Sequence, residues 1–124
     1  MFYPKDLAAQ YLRKHGYDIV DRGVLPFKHG ITTIDFVVYE KAENTLVAVC
    51  VYATDDSYDN AMAEWRHKDS SYFRRAIRRY DEKRGWRGKT RADLILVRGD
   101  DCIMHVIGET KVRKTKGAKH EQVK

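Results

Sequence analysis

The sequence has few cysteines and no long apolar run, and both shortages exclude classes of protein. It holds two cysteines in 124 residues, Cys50 and Cys102, each inside an apolar segment. This placement favours buried thiols in a reducing compartment over a disulfide, and the paired spacing of a zinc site is missing. No apolar run approaches the roughly 20 residues needed to span a bilayer, and no secretory signal is visible. We therefore expect a soluble, cytoplasmic protein without a membrane partner.

The net charge of +6 is unevenly distributed along the chain. Residues 64–91 carry eleven Lys or Arg against four Asp or Glu, and residues 110–124 carry six against one. Clustered positive charge of this kind is what a polyanion-binding surface needs. A solvated helix face followed by a disordered tail would give the same composition. We predict one domain over residues 1–109 and a basic, disordered tail over residues 110–124.

Hydrophobic periodicity predicts a mixed sheet with helices packed on it, an α/β fold. Pro4 suits the first turn of a helix that ends at Gly16. The segments that follow are predicted as strand material over 17–27, strands over 31–39 and 45–53, a helix over 61–83, and strands over 92–97 and 102–107. Both faces of the 45–53 strand are apolar, which favours a strand covered on both sides.

The helix predicted over 61–83 is amphipathic. Its apolar positions share one stripe and should face the core, namely Met62, Trp65, Tyr72, Phe73, Ala76, Ile77 and Tyr80. Its arginines fall on the exposed side: Arg74, Arg75, Arg78 and Arg79.

Six segments, in order over about residues 5–107, resemble the YraN-type family. They are KDLAAQYLRKHGYDIVDR, ITTIDFVVYE, NTLVAVCVYA, RHKDSSYFRRAIRRY, RADLILV and CIMHVI. That family belongs to the PD-(D/E)XK nuclease superfamily. The resemblance implies a restriction-endonuclease-like fold, in which a central mixed sheet is flanked by helices. It also implies a chemistry of magnesium-assisted phosphodiester hydrolysis, with Mg²⁺ held by carboxylate oxygens.

The residues that carry this chemistry in the family are mostly replaced here. Asp35 matches the family's catalytic and metal-binding Asp, but Cys50 stands at the Glu position and Tyr52 at the Lys position. Lys5 replaces the Glu of the first helix. Sulfur is a poor magnesium ligand, and tyrosine carries no positive charge at neutral pH. The pattern therefore predicts a degenerate nuclease that binds nucleic acid without cutting it and needs no cofactor.

Two other functions stay open. Glu40, Asp55 and Asp56 follow strand ends and could approach Asp35, which would make the protein an active endonuclease with a relocated magnesium site. Alternatively, the former active-site face could serve as a protein-interaction module.

The expected nucleic-acid contacts lie on the basic helix and the loop after it, and DNA is favoured over RNA. Lys68 matches a helix lysine of the family, and Trp86, followed by Arg87, could stack on a base. The other contacts would be made by Arg74, Arg75, Arg78 and Arg79. Asp93 is expected to cap a strand or pair with a neighbouring Arg, and His105 to pack at a strand edge. The oligomeric state is left open.

Overall fold

A computed structural model of the chain describes residues 4–24, 34–68, 70–85, 87–99, 102–108, 111–116 and 120–122. Side chains at 24, 68, 70, 72, 102, 111–116 and 120–122 lie outside the description. The elements are α1 (Pro4–Lys14), β1 (Tyr17–Val24), β2 (Ile34–Glu40), β3 (Thr45–Thr54), α2 (Tyr58–Lys68), α3 (Ser70–Arg84), β4 (Lys89–Arg98), β5 (Cys102–Ile107), β6 (Lys111–Lys116) and β7 (His120–Gln122).

The strands form one mixed sheet in sequence order, from β1 to β7. Neighbouring strands are antiparallel except β3 and β4, which run parallel in register from Thr45 opposite Lys89 to Thr54 opposite Arg98. A parallel pair needs a crossover of a dozen or more residues, and α2 and α3 supply it. The predicted α/β class with a mixed sheet is confirmed.

Helices cover both faces of this sheet. On the α1 face, Ala8 and Leu12 pack against Val47, Val49 and Ile95. On the opposite face, here called the α2–α3 face, Met62, Phe73 and Ala76 pack against partners that include Leu46, Ala48 and Leu94. Alternating residues of β3 thus enter different clusters, because successive side chains of a strand point to opposite faces. The prediction that β3 is covered on both sides is confirmed.

The single helix predicted over 61–83 is wrong, because the structure has two helices there. The first begins at Tyr58, where the hydroxyl of Ser57 accepts a hydrogen bond from the backbone N–H of Asn60 at 3.1 Å. This is an N-cap, which supplies a partner to an otherwise unpaired helical N–H group. The second helix begins at Ser70, in a D-S-S run. Asp and Ser compete with helical hydrogen bonds and favour helix starts.

Within the segment 110–124, for which a disordered tail is predicted, the described residues Lys111–Lys116 form strand β6 and His120–Gln122 form β7. Val112 lies opposite Val106, and Thr115 lies opposite Ile103. Without β6, the backbone N–H and C=O groups along one side of β5 would lack hydrogen-bond partners. Strand β6 supplies these partners, and its lysines are typical of strands near the edge of a sheet. Apolar periodicity gives no signal for pairing of this kind.

Among the helices that the structure describes, none is long and apolar enough to cross a membrane.

The core on the α2–α3 face depends on Phe73, whose side chain is 1% exposed. We expect Phe73→Ala to lower the free energy of unfolding by about 3–5 kcal/mol, because it removes buried apolar area and leaves a cavity. Val20→Ala, at a side chain that is 38% exposed, should change it by less than about 0.5 kcal/mol. Urea denaturation of both variants measures the difference. Equal effects would show that Phe73 is not part of the core.

Candidate functional site

Asp35, the carboxylate expected to bind metal, is held by two groups of the protein itself. Its Oδ2 accepts a hydrogen bond from the backbone N–H of Val51 at 2.6 Å, and its Oδ1 lies 3.1 Å from the Nζ of Lys5. Asp35 is 7% exposed, whereas Lys5, in the first turn of α1, is 63% exposed. An ammonium group therefore lies directly against the one carboxylate that matches the nuclease pattern.

The other two positions of that pattern have different partners. Cys50 is a buried thiol of the apolar cluster on the α2–α3 face, as the sequence predicts. Tyr52 packs against the same cluster, and its hydroxyl donates to Oε1 of Glu64 on α2 at 3.0 Å. Asp35, Cys50 and Tyr52 lie on neighbouring parts of β2 and β3, but Asp35 is paired with Lys5 of α1 and with the backbone of β3. These three described side chains supply one carboxylate, one thiol and one phenol, which is not an oxygen-rich donor set.

The structure contradicts the hypothesis that Glu40 approaches Asp35 to form a relocated metal site. Glu40 and Asp35 lie at opposite ends of β2, and five residues of extended chain span about 16 Å. Glu40 instead accepts a hydrogen bond from Arg91. Asp56 binds the N–H of Ser57 and the side chain of Asn60, and its pKa is lowered because of these hydrogen bonds, that of Asn60 first. No group of three His, Cys, Asp or Glu within the described ranges could hold a metal ion.

A second carboxylate, that of Asp93 on β4, has a side chain that is completely buried on the α1 face. Its Oδ1 accepts hydrogen bonds from Nε of Arg91 at 2.8 Å and from the N–H of Gly108 at 2.9 Å. Its Oδ2 accepts from Nη2 of Arg91 at 3.0 Å and from Nε2 of His105 at 2.7 Å. Four donors thus fill the acceptor sites that a carboxylate offers. The prediction that Asp93 pairs with a neighbouring Arg is confirmed.

This network reaches three further elements, α1, β1 and β2. The hydroxyl of Tyr11 on α1 is hydrogen-bonded to Nδ1 of His105 at 2.8 Å. Arg91 donates to Oε1 of Glu40 on β2 at 2.9 Å and to the hydroxyl of Tyr17 on β1 at 3.0 Å. His105, placed by the sequence at a strand edge, is instead completely buried, because the rings of Tyr11 and Tyr17 pack against its side chain on the α1 face.

Burial and charge act against each other within the network. Burial alone would raise the pKa of Asp93, but its hydrogen bonds to His105 and Arg91, together with their charges, lower it overall. Burial likewise opposes the charge of Arg91, yet Asp93 and Glu40 raise its pKa overall. Burial raises the pKa of Tyr17 to about 12. At neutral pH the network therefore holds an ionised Asp93–Arg91 pair.

The His105–Asp93 pair resembles a catalytic dyad only in its connectivity. A general base must reach a substrate proton, directly or through one water. His105 is buried and both of its ring nitrogens are already hydrogen-bonded. We conclude that the network ties secondary-structure elements together rather than carrying out chemistry.

Helix α3 presents the second candidate surface, which is basic. Phe73 and Ala76 are buried, and Ile77 and Tyr80 are half-buried against the sheet. The hydroxyl of Tyr80 donates to Asp21 and so fixes the helix to β1. The predicted exposure of the four arginines is confirmed, and we call them the α3 arginine face: Arg74, Arg75, Arg78 and Arg79.

The remaining predicted contact residues are only partly covered by the structure. Lys68 belongs to α2, but its side chain lies outside the described residues, as does all of Trp86. Arg87 is exposed in the loop before β4.

Comparison of the sequence with protein-family models and with curated proteins gives no match.

Asp93 should be essential for stability. We expect Asp93→Asn to lower the free energy of unfolding by about 3–5 kcal/mol, because it removes the buried charge that Arg91 and His105 bond and leaves the half-buried Arg91 with Glu40 as its remaining ion-pair partner. The matched control is Asp18→Asn, which removes an exposed pair with Lys41 and should cost less than about 1 kcal/mol. Similar losses in both variants, measured by urea denaturation, would contradict this role of Asp93.

The free energy of unfolding should also depend on pH through the ionisation of Asp93. The folded state lowers the pKa of Asp93 below its ordinary value of 3.8. Its contribution is therefore fully present above that value and is lost as the pH falls through the lower folded pKa. We expect the stability difference between the wild type and Asp93→Asn to shrink as the pH falls below about 4. A difference that stays constant between neutral and strongly acidic pH would contradict this linkage.

Proposed function

We propose that the protein binds nucleic acid through the α3 arginine face, on a restriction-endonuclease-like fold of the YraN type, and does not cleave it. The observation that carries this proposal is the exposure of four arginines along one side of a helix whose other side is anchored in the core. Phosphate contacts by Arg and Lys supply most of the affinity of sequence-independent binding.

The spacing of these charges argues against a merely solvated helix face. Arg75, Arg79 and Lys83 follow each other at intervals of four residues, so like charges lie on successive turns of α3. Such pairs destabilise a helix by roughly 0.2–0.5 kcal/mol each, whereas a helix stabilised by its own surface charges would alternate the sign. Asp81 and Glu82 follow Arg78 within one turn and offset part of this repulsion, but the α3 arginine face itself carries four like charges, which favours a polyanion on its surface.

The residues near Asp35 do not fit a magnesium site. Mg²⁺ requires oxygen ligands in near-octahedral geometry, but here one carboxylate is paired with Lys5 and the neighbouring thiol is a soft ligand in an apolar cluster. The lysine that would offset developing negative charge is replaced by Tyr52. Loss of one such preorganised group commonly reduces the rate by about 100- to 1000-fold, and more than one is replaced here.

Binding should depend on the α3 arginine face and on salt. We expect labelled DNA to bind at low ionic strength, with affinity falling steeply as salt rises because counterions are released. Charge reversal by Arg75→Glu with Arg79→Glu should weaken binding at least about tenfold and reduce the salt slope by about two. The matched control reverses the same number of charges on the opposite face of the sheet, with Arg13→Glu and Lys14→Glu.

The readout is fluorescence anisotropy, with circular dichroism to check that both double variants fold. No binding at low salt, or equal losses in the two double variants, would favour the protein-interaction module instead.

Cleavage should be absent. We expect plasmid, single-stranded DNA and RNA to remain intact on incubation with the protein and Mg²⁺ or Mn²⁺, because the donor set lacks the oxygen ligands that hold either metal. The control is Asp35→Ala, purified in the same way. Cleavage by the wild type that disappears in Asp35→Ala would overturn the proposal and establish an active nuclease.

A further inference from the structure

A pocket opens between the two helices of the α2–α3 face and strands β4 and β5, with a volume of about 400 Å³. Apolar side chains line much of it, among them Met62, Phe73, Leu94 and Val106. Pockets that bind small molecules have volumes of roughly 300–1,000 Å³ and walls that are mostly apolar. The pocket is therefore large enough for one planar organic group.

Two aromatic side chains of this pocket are in contact with each other. Trp65 and Phe73 both line it, with ring centroids 5.9 Å apart and an interplanar angle of 68°. This edge-to-face contact fixes the two rings against each other before any ligand arrives. Phe73 is 1% exposed and backs the pocket, so an aromatic ligand would meet the half-buried ring of Trp65, which is already held in place, and less conformational entropy is lost on binding.

Two cations complete the pocket. Arg66 of α2 and Arg74 of α3 are exposed and line it together with the apolar side chains. Arg74 also belongs to the α3 arginine face, where Arg78 follows it one helical turn later. The pocket is thus continuous with the surface that is proposed to hold phosphates. A ligand that suits both parts has a planar aromatic ring for the pocket and a phosphate for the arginines.

We propose that this pocket takes an unpaired nucleobase of a single strand whose phosphates lie along the α3 arginine face. The proposal rests on the proposed nucleic-acid binding and adds a preference to it. A base in a duplex must be unpaired and unstacked before it can enter a pocket, at a cost of a few kcal/mol, whereas a base in a single strand is accessible. Base stacking on aromatic side chains contributes about 1–3 kcal/mol per base. The protein therefore prefers single strands to duplexes.

The experiment compares three polymers of equal length: a single strand, its duplex, and a single strand with abasic sites throughout. The abasic strand keeps the phosphates and removes the bases. We expect the single strand to bind about tenfold more tightly than the other two at the same salt concentration. Ala92→Phe, which adds a ring to a residue lining the pocket, should abolish this preference. Ala63→Phe, at an exposed position of α2, is the matched control and should retain it.

A second measurement does not depend on a pocket variant folding. In a Trp86→Phe background, where Trp65 is the one remaining tryptophan, a nucleoside monophosphate should quench tryptophan fluorescence and ribose phosphate should not. Quenching by a phosphotyrosine peptide but not by the nucleotide would assign the pocket to a protein ligand and overturn the proposal.

The outcomes separate this inference from the proposed function. If all three polymers bind equally and Ala92→Phe changes nothing, the base pocket is refuted and binding through the arginine face stands. If no polymer binds at low salt, both are refuted. A preference for the single strand that is lost with the abasic strand and in Ala92→Phe supports both.

Discussion

The buried carboxylate of Asp93 is the interaction on which the α1 side of the molecule depends. Removing a carboxylate from water costs several kcal/mol unless its acceptor sites are filled, and four donors fill them here. Two of these donors belong to Arg91, which also binds β1 and β2, and one belongs to His105, which binds Tyr11 of α1. One negative charge thereby orients four strands and a helix relative to one another.

The position of α1 links this network to the site around Asp35. Tyr11 fixes the helix to His105, and Ala8 and Leu12 pack against the sheet, so the first turn of α1 is held near the start of β2. Lys5 lies in that turn and reaches Asp35. A glutamate at this position, as in the YraN-type pattern that the sequence resembles, would add negative charge beside Asp35. Lysine instead neutralises it, so the carboxylate has a counterion supplied by the protein itself.

The sequence predicts those parts of the fold whose signal lies within one segment. The alternation in β3 predicts its burial on both faces, and the Arg91–Asp93 pair is predictable because residues two apart in a strand share a face. The contact of Asp93 with His105 depends on the register of β4 against β5, which periodicity does not specify. Apolar periodicity does not predict strand β6, because the strand is held to β5 by backbone pairing and its sequence has no alternation of apolar residues. Apolar spacing does not predict the break between α2 and α3, because the spacing continues across it. The start of α2 is different, because the N-cap residue Ser57 can be recognised in the sequence.

In the proposed function, the binding surface and the Lys5–Asp35 pair lie on different parts of the molecule. Lys5 and Asp35 meet where α1 approaches β2, whereas the arginines and the pocket belong to the α2–α3 face and depend on Phe73 and Tyr80 for their position. Charge changes beside Asp35 therefore leave the packing of α3 intact. The position of α3 depends on the core beneath it, where Phe73 and Ala76 are buried. The two regions meet in the sheet, because Cys50 and Tyr52 of β3 belong to the apolar cluster on which Phe73 and Ala76 of α3 pack. An apolar or aromatic side chain at these two positions therefore supports the basic surface by packing beneath it.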